Sequence, residues 1–213
     1  MARTGVEAHA LIRARRRGRD VPEGGASWRI NPVSGWLEGV RRVPSPNCDE
    51  RPPQTGIDLV VVHGISLPPR VYAGEYIDRL FTNTLDPDAH PDFRPVAGLR
   101  VSAHVFIRRD GGLTQYVPLH LRAWHAGASR FEDRTGCNDF SIGIELEGWD
   151  RDPYEHVQYQ VLAELIGTLS AHWPGIRPER VVGHSDIAPG RKTDPGPAFE
   201  WRKLRTLLSI YMS

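Results

Sequence analysis

Cysteine is nearly absent from this chain of 213 residues. Cys48 and Cys137 stand far apart, with no C-x-x-C pair, which excludes a disulfide framework. A single disulfide stays open, and reduced thiols in a cytoplasm are the simpler expectation. No apolar run reaches the length of a membrane span. The N-terminus is basic but lacks the apolar stretch and small-residue cleavage site of a secretory signal. The expected compartment is therefore the cytoplasm. Charge of one sign is also missing: the net charge is +1, so no global field draws the chain to nucleic acid or to a membrane surface. A small-molecule partner and a monomeric state are expected.

The balanced total hides an uneven distribution. Residues 1–30 hold seven arginines against Glu7, Asp20 and Glu23, leaving the rest of the chain at −3. Residues 1–27 combine the Arg13–Arg19 run with a Pro/Gly/Ala/Ser stretch and offer little to bury, so they read as an extension outside the fold. Their competing roles are a tether to nucleic acid or anionic lipid and a solvated tail. With 39% apolar residues, residues 28–213 can build one cored domain.

Within that domain Ile57–Val62 is a β-branched run and predicts a buried strand ending on His63-Gly64. Tyr76, Ile77, Leu80 and Phe81 predict a short helix over 74–81, followed by a Pro/Asp-rich loop to Gly98. Alternation over Val101–Arg108 predicts a strand, Asp110-Gly111-Gly112 a turn, and Leu113–Val117 the return strand. In Phe140–Leu146, Ile142, Ile144 and Leu146 share one face, and Ser141, Gly143 and Glu145 the other. Asp152-Pro153 reads as an N-cap and first helical position, before an apolar stripe from Val157 to Leu169 that ends ahead of Pro174. Arg180–Gly183 predicts a strand running into His184, and Ala198–Tyr211 a final helix. Strands and helices mix without a βαβ rhythm, so the fold class is α+β, a mixed β-sheet flanked by helices.

Position singles out a few of the nine histidines. His63 and His184 each close a strand, where side chains project over a sheet rim. Asp194 follows ten residues after His184. Two imidazoles and a carboxylate suit a catalytic zinc that keeps one position open for water. The competing reading of each histidine is a satisfied hydrogen-bonding residue. Proton traffic at such a site needs an acid–base group. Glu145 faces away from its apolar strand neighbours, where burial would raise its pKa; Glu147 shares that face and competes for the role. Lys192, two residues before Asp194, would steady an oxyanion or be a surface lysine. Trp124 suits stacking on a sugar ring, against a core aromatic. Arg100 suits forking onto a substrate carboxylate, against a surface charge. His104 and His125 are weaker candidates. Cys137 has no histidine partner marked in sequence and reads as an inert thiol.

Several of these residues lie in longer runs: Arg41-Arg42-Val43-Pro44-Ser45-Pro46, Val61-Val62-His63-Gly64-Ile65-Ser66-Leu67-Pro68-Pro69, Leu99–His104, Ala123-Trp124-His125-Ala126-Gly127, Cys137–Gly148, and Gly183–Pro189 continuing to Lys192–Pro197. On them the chain, from about Gly35 to Leu208, resembles the AmpD family of 1,6-anhydro-N-acetylmuramoyl-L-alanine amidases. The resemblance implies the fold of phage lysozyme-amidases and peptidoglycan recognition proteins. It implies one zinc ion on His63, His184 and Asp194, with catalytic roles for Glu145 and Lys192. It also implies a muropeptide substrate whose muramoyl–L-alanine amide is hydrolysed during cytoplasmic cell-wall recycling. The alternative is a muropeptide-binding module of the same fold without catalysis. Two departures stand out: Gly64 occupies the family's usual asparagine position after the first ligand, and the run after Pro46 reads Asn47-Cys48-Asp49-Glu50.

Overall fold

The computed structural model describes residues 28–212; the expected N-terminal extension lies outside them. The strands are β1 (Arg41–Arg42), β2 (Cys48–Asp49), β3 (Leu59–Ile65), β4 (Val105–Ile107), β5 (Leu113–Gln115), β6 (Arg122–Ala123), β7 (Arg130–Phe131), β8 (Arg134–Thr135), β9 (Ser141–Glu147) and β10 (Val181–Gly183). The helices are α1 (Tyr76–Phe81), α2 (His156–His172), α3 (His184–Ile187) and α4 (Trp201–Tyr211).

Six strands form one mixed sheet in the order β1-β5-β4-β9-β3-β10. Only β4 and β5 pair antiparallel within it. The period-2 alternation of side chains divides the two faces. Val60, Val62, Val105, Ile107, Ile142, Ile144 and Leu146 pack against Leu162, Leu165, Ile166 and Leu169 of α2 and Leu204 and Leu208 of α4. Leu59, Val61 and Phe106 point to the other face, where Phe106 packs with Leu80, Phe81 and Phe93, and Leu59 and Val61 pack with Ala126, Cys137 and Ile187. The expected mixed sheet with flanking helices is therefore the observed architecture. Leu204 is fully buried between α4 and the sheet-facing helix. Leu204→Ala is expected to lower unfolding free energy by about 2–5 kcal/mol, read by urea denaturation; a loss under about 0.5 kcal/mol would mean α4 is not part of the core.

Some element boundaries differ from expectation, each for a local reason. The strand expected from Val101 begins only at Val105, because the preceding polar groups are claimed by loops. Ser102 N–H donates to the Trp124 carbonyl, its Oγ donates to Asn47 O, and Asn47 Nδ2 donates to Val101 O. The long helix begins at His156 rather than at Pro153. Asp152 does not cap it; its carboxylate accepts from Tyr72 Oη at 2.6 Å and Arg70 Nε at 3.2 Å, while Gln158 Oε1 accepts from Glu155 N–H at the true start. The last helix starts at Trp201, three residues after the expected Ala198. Both cysteines are free thiols, Cys48 half-buried and Cys137 buried.

Candidate metal centre

His63 lies on β3 directly opposite Glu145 of the neighbouring parallel strand β9. Its position in the strand's alternation places it on the face away from α2. His184 is the first residue of α3, immediately after β10, whose pairing with β3 brings it alongside His63. Asp194 arrives on a loop that folds back onto α3, its carbonyl accepting from Ser185 N–H at 3.0 Å. The next carbonyl, Pro195 O, accepts from the buried Tyr154 hydroxyl at 2.9 Å. Glycine at position 64 leaves room for that tyrosine, since a Cβ there would stand 2.1 Å from Tyr154 Oη.

These elements bring three donor atoms to one point. His63 Nδ1 lies 3.0 Å from His184 Nδ1, and each lies 3.1 Å from Asp194 Oδ2. Tetrahedral zinc with bonds of about 2.0–2.1 Å spaces its ligands ~3.3 Å apart, so the triangle is of ligand size. The protonation states also suit a cation. Burial holds His63 down at about 4 in spite of the neighbouring Asp194 carboxylate. Burial pushes Asp194 up, but the two imidazoles outweigh it and keep the carboxyl far below its ordinary range. A neutral imidazole and an anionic carboxylate are the forms that bind metal at neutral pH. Among the described residues this His-His-Asp group is the one whose donor atoms could share an ion.

Glu145 and Glu147 project from the same face of β9, and their surroundings separate them. Glu147 is committed to backbone: its Oε1 accepts from Ala73 N–H and its Oε2 from Arg109 N–H. Glu145 is 9% exposed, and its Oε2 has no hydrogen-bond partner among the described residues. Burial, reinforced by the Asp194 charge, pushes its pKa well above the ordinary carboxyl value, with Lys192 opposing. Lys192 is exposed, and its positive charge is felt by both Glu145 and His63.

The two expected substrate contacts are placed less tightly. Trp124 is half-buried, with its Nε1 donating to Asp49 Oδ1 at 3.1 Å; it is outside the core clusters. Arg100 is exposed. Burial pushes the Cys137 thiol up, in keeping with an inert residue. His125 has a larger part than its sequence signal indicated: it is buried, and its Nδ1 lies 2.9 Å from His63 Nε2. Only its place in the Ala123–Gly127 run pointed that way.

Residues 52–197 match the family model described as N-acetylmuramoyl-L-alanine amidase. The chain belongs to this family. The amidase is 56% identical over 179 residues to the Salmonella typhimurium 1,6-anhydro-N-acetylmuramyl-L-alanine amidase AmpD, covering 84% of this chain and 95% of that protein. It superposes on the crystal structure of a selenomethionine AmpD derivative with a TM-score of 0.80 and 55% identity, over 82% of this chain and 97% of the other. The amidase AmiD from E. coli, solved with the substrate anhydro-N-acetylmuramic acid-L-Ala-D-gamma-Glu-L-Lys, is 31% identical with a TM-score of 0.53, over 74% of this chain and 60% of that one.

The buried histidines of this amidase give it a defined response to acid. Burial holds His63 at about 4 and His104, whose ring also faces the Arg51 cation, at about 3. Burial also puts His125 well below its ordinary value. Below about 6.5 the unfolded chain takes up protons that the folded chain refuses, so stability must fall as pH drops. For the metal-free amidase a melting temperature that declines from pH 6.5 through pH 4 is expected, read by thermal scans at fixed ionic strength. A flat profile across that window would contradict the neutral burial of these rings.

Proposed function

We propose that the chain hydrolyses the amide between the lactyl group of 1,6-anhydro-N-acetylmuramic acid and L-alanine in muropeptides, using one zinc ion held by His63, His184 and Asp194. The observation that carries this reading is the triangle of two imidazole nitrogens and a carboxylate oxygen at 3.0–3.1 Å, with an unpartnered buried glutamate one strand away. The high identity to AmpD over nearly its whole length supports the anhydro-sugar substrate.

When held by His63, His184 and Asp194, a zinc ion would supply Lewis acidity toward the amide carbonyl and toward the attacking water. Glu145 takes the proton from that water, then returns it to the alanine nitrogen as the C–N bond breaks. Its hydrophobic burial keeps its proton affinity high enough for both tasks. Lys192 neutralises the charge that develops on the carbonyl oxygen. Trp124 offers an aromatic face to the sugar, and Arg100 a guanidinium fork to a carboxylate of the stem peptide.

We propose that the enzyme acts as a monomer. No helix among the described residues is long and apolar enough to cross a membrane. The two unpaired thiols fit a reducing compartment, and we place the reaction in cytoplasmic cell-wall recycling. Mass analysis of products from a defined anhydro-muropeptide tests the proposal. Free stem peptide and anhydro-muramic acid are expected, with none formed under a chelator and formation restored by zinc. A binding module without catalysis would leave the muropeptide intact under all three conditions.

A further inference from the structure

The proposed ligands have a buried partner that the reaction as written does not use. His125 sits beneath His63 in a pocket whose floor is Gly143, where a Cβ would stand 2.4 Å from the His125 ring. The hydrogen-bond roles along this chain of groups can be assigned from its far end. The Cys137 carbonyl can only accept, and Ser141 Oγ lies 2.5 Å from it. The one hydroxyl proton of Ser141 is thereby committed, leaving Oγ to accept from His125 Nε2 at 3.1 Å. A neutral imidazole carries one N–H, so His125 Nδ1 is bare and accepts from His63 Nε2 at 2.9 Å. That in turn leaves His63 Nδ1 without a proton, and it is the atom aimed at Asp194 and His184.

The next residue performs the same service for the second imidazole. The Ala126 carbonyl lies 3.3 Å from His184 Nε2 and accepts the proton there, so His184 Nδ1 also faces inward as a lone pair. The His125-Ala126 segment is itself clamped: Asn138 Oδ1 accepts from both backbone N–H groups, at 3.1 and 2.8 Å.

We propose that His125, held by Ser141, is a positioning residue that fixes the tautomer of His63 so that Nδ1 is presented to the metal. The inference rests on His63 being a zinc ligand, as in the proposed function. Outer-shell partners of metal-bound histidines typically contribute about 10–100-fold in affinity. An asparagine at position 125 can place its carbonyl oxygen where Nδ1 was, whereas leucine offers no acceptor.

The test measures zinc affinity by chelator competition in the full chain for wild type, His125→Leu, His125→Asn and Ser141→Ala. His125→Leu is expected to weaken zinc binding by about 10–100-fold, His125→Asn to recover most of it, and Ser141→Ala to fall between. Nitrogen-15 NMR of the zinc-loaded wild type, which needs no variant to fold, is expected to show the His125 proton on Nε2. A proton on Nδ1, or wild-type affinity in His125→Leu, would overturn the relay. Loss in His125→Leu that His125→Asn fails to recover would also overturn it, since packing alone would then explain the effect. If wild type itself binds no zinc, the ligand assignment has failed, and the same NMR measurement on the metal-free protein judges the hydrogen-bond chain.

Discussion

Glu145→Gln is expected to cut turnover by about 10²–10⁴-fold, the usual contribution of a positioned acid–base group, while zinc content stays at the wild-type level. The amide keeps the size of the carboxyl group but cannot carry a proton from water to nitrogen. Glu145 makes no bond to His63, His184 or Asp194, so the metal triangle survives its loss. The same variant makes a second, independent prediction about stability. Burial raises the Glu145 pKa in the metal-free fold, so above about pH 4.5 the folded chain retains a proton that the unfolded chain has released. Taken by itself this contribution lowers wild-type stability as pH rises through that window, against the larger opposite contribution of the buried histidines, and the variant lacks it. In metal-free protein the melting temperature of Glu145→Gln should exceed that of wild type by a margin that grows from pH 4.5 upward. A variant that retains near-normal turnover when loaded with zinc would remove Glu145 from the mechanism.

Asp194→Ala is the second change with a large expected effect. It removes the anionic member of the triangle and leaves two neutral imidazoles. A divalent ion then loses both a bond and the charge that offsets its own. Zinc affinity should fall by more than the roughly 10–100-fold typical of an outer-shell partner, and turnover should fall with it at limiting zinc. The fold should persist, because Asp194 is partly exposed and its loop is held by backbone bonds from Ser185 and the Tyr154 hydroxyl on Pro195. Metal analysis after dialysis, beside a circular dichroism spectrum, separates the two outcomes. A variant that keeps stoichiometric zinc would exclude Asp194 as a ligand.

Much of this organisation was legible in the sequence because the relevant patterns are local. Alternation in β9 separates Ile142, Ile144 and Leu146 from Ser141, Gly143 and Glu145, and the sheet divides them in that way. His184 was legible as the residue that follows a strand. The strand expected to end on His63-Gly64 instead continues to Ile65, because Gly64 and Ile65 keep pairing with β9. His63 therefore faces the site by alternation within the strand and not from its end. The strand pattern alone did not separate Glu145 from Glu147, and only the resemblance favoured Glu145. Their separation depends on Ala73 and Arg109 N–H groups that reach Glu147 from segments distant in sequence. The part played by His125 was hidden for the same reason: its partners, His63 and Ser141, come from other strands. The Asp152-Pro153 pair had the composition of a helix start, but tertiary bonds to Tyr72 and Arg70 claimed the aspartate. Propensity yielded to context there.

The most direct measurement is a zinc titration of metal-free enzyme, following release of the L-alanine-led peptide from an anhydro-muropeptide. Turnover should rise linearly and level off at one equivalent per chain. Full activity before any metal is added, or none after saturation, would contradict a cation gripped by His63, His184 and Asp194 as the centre of the reaction.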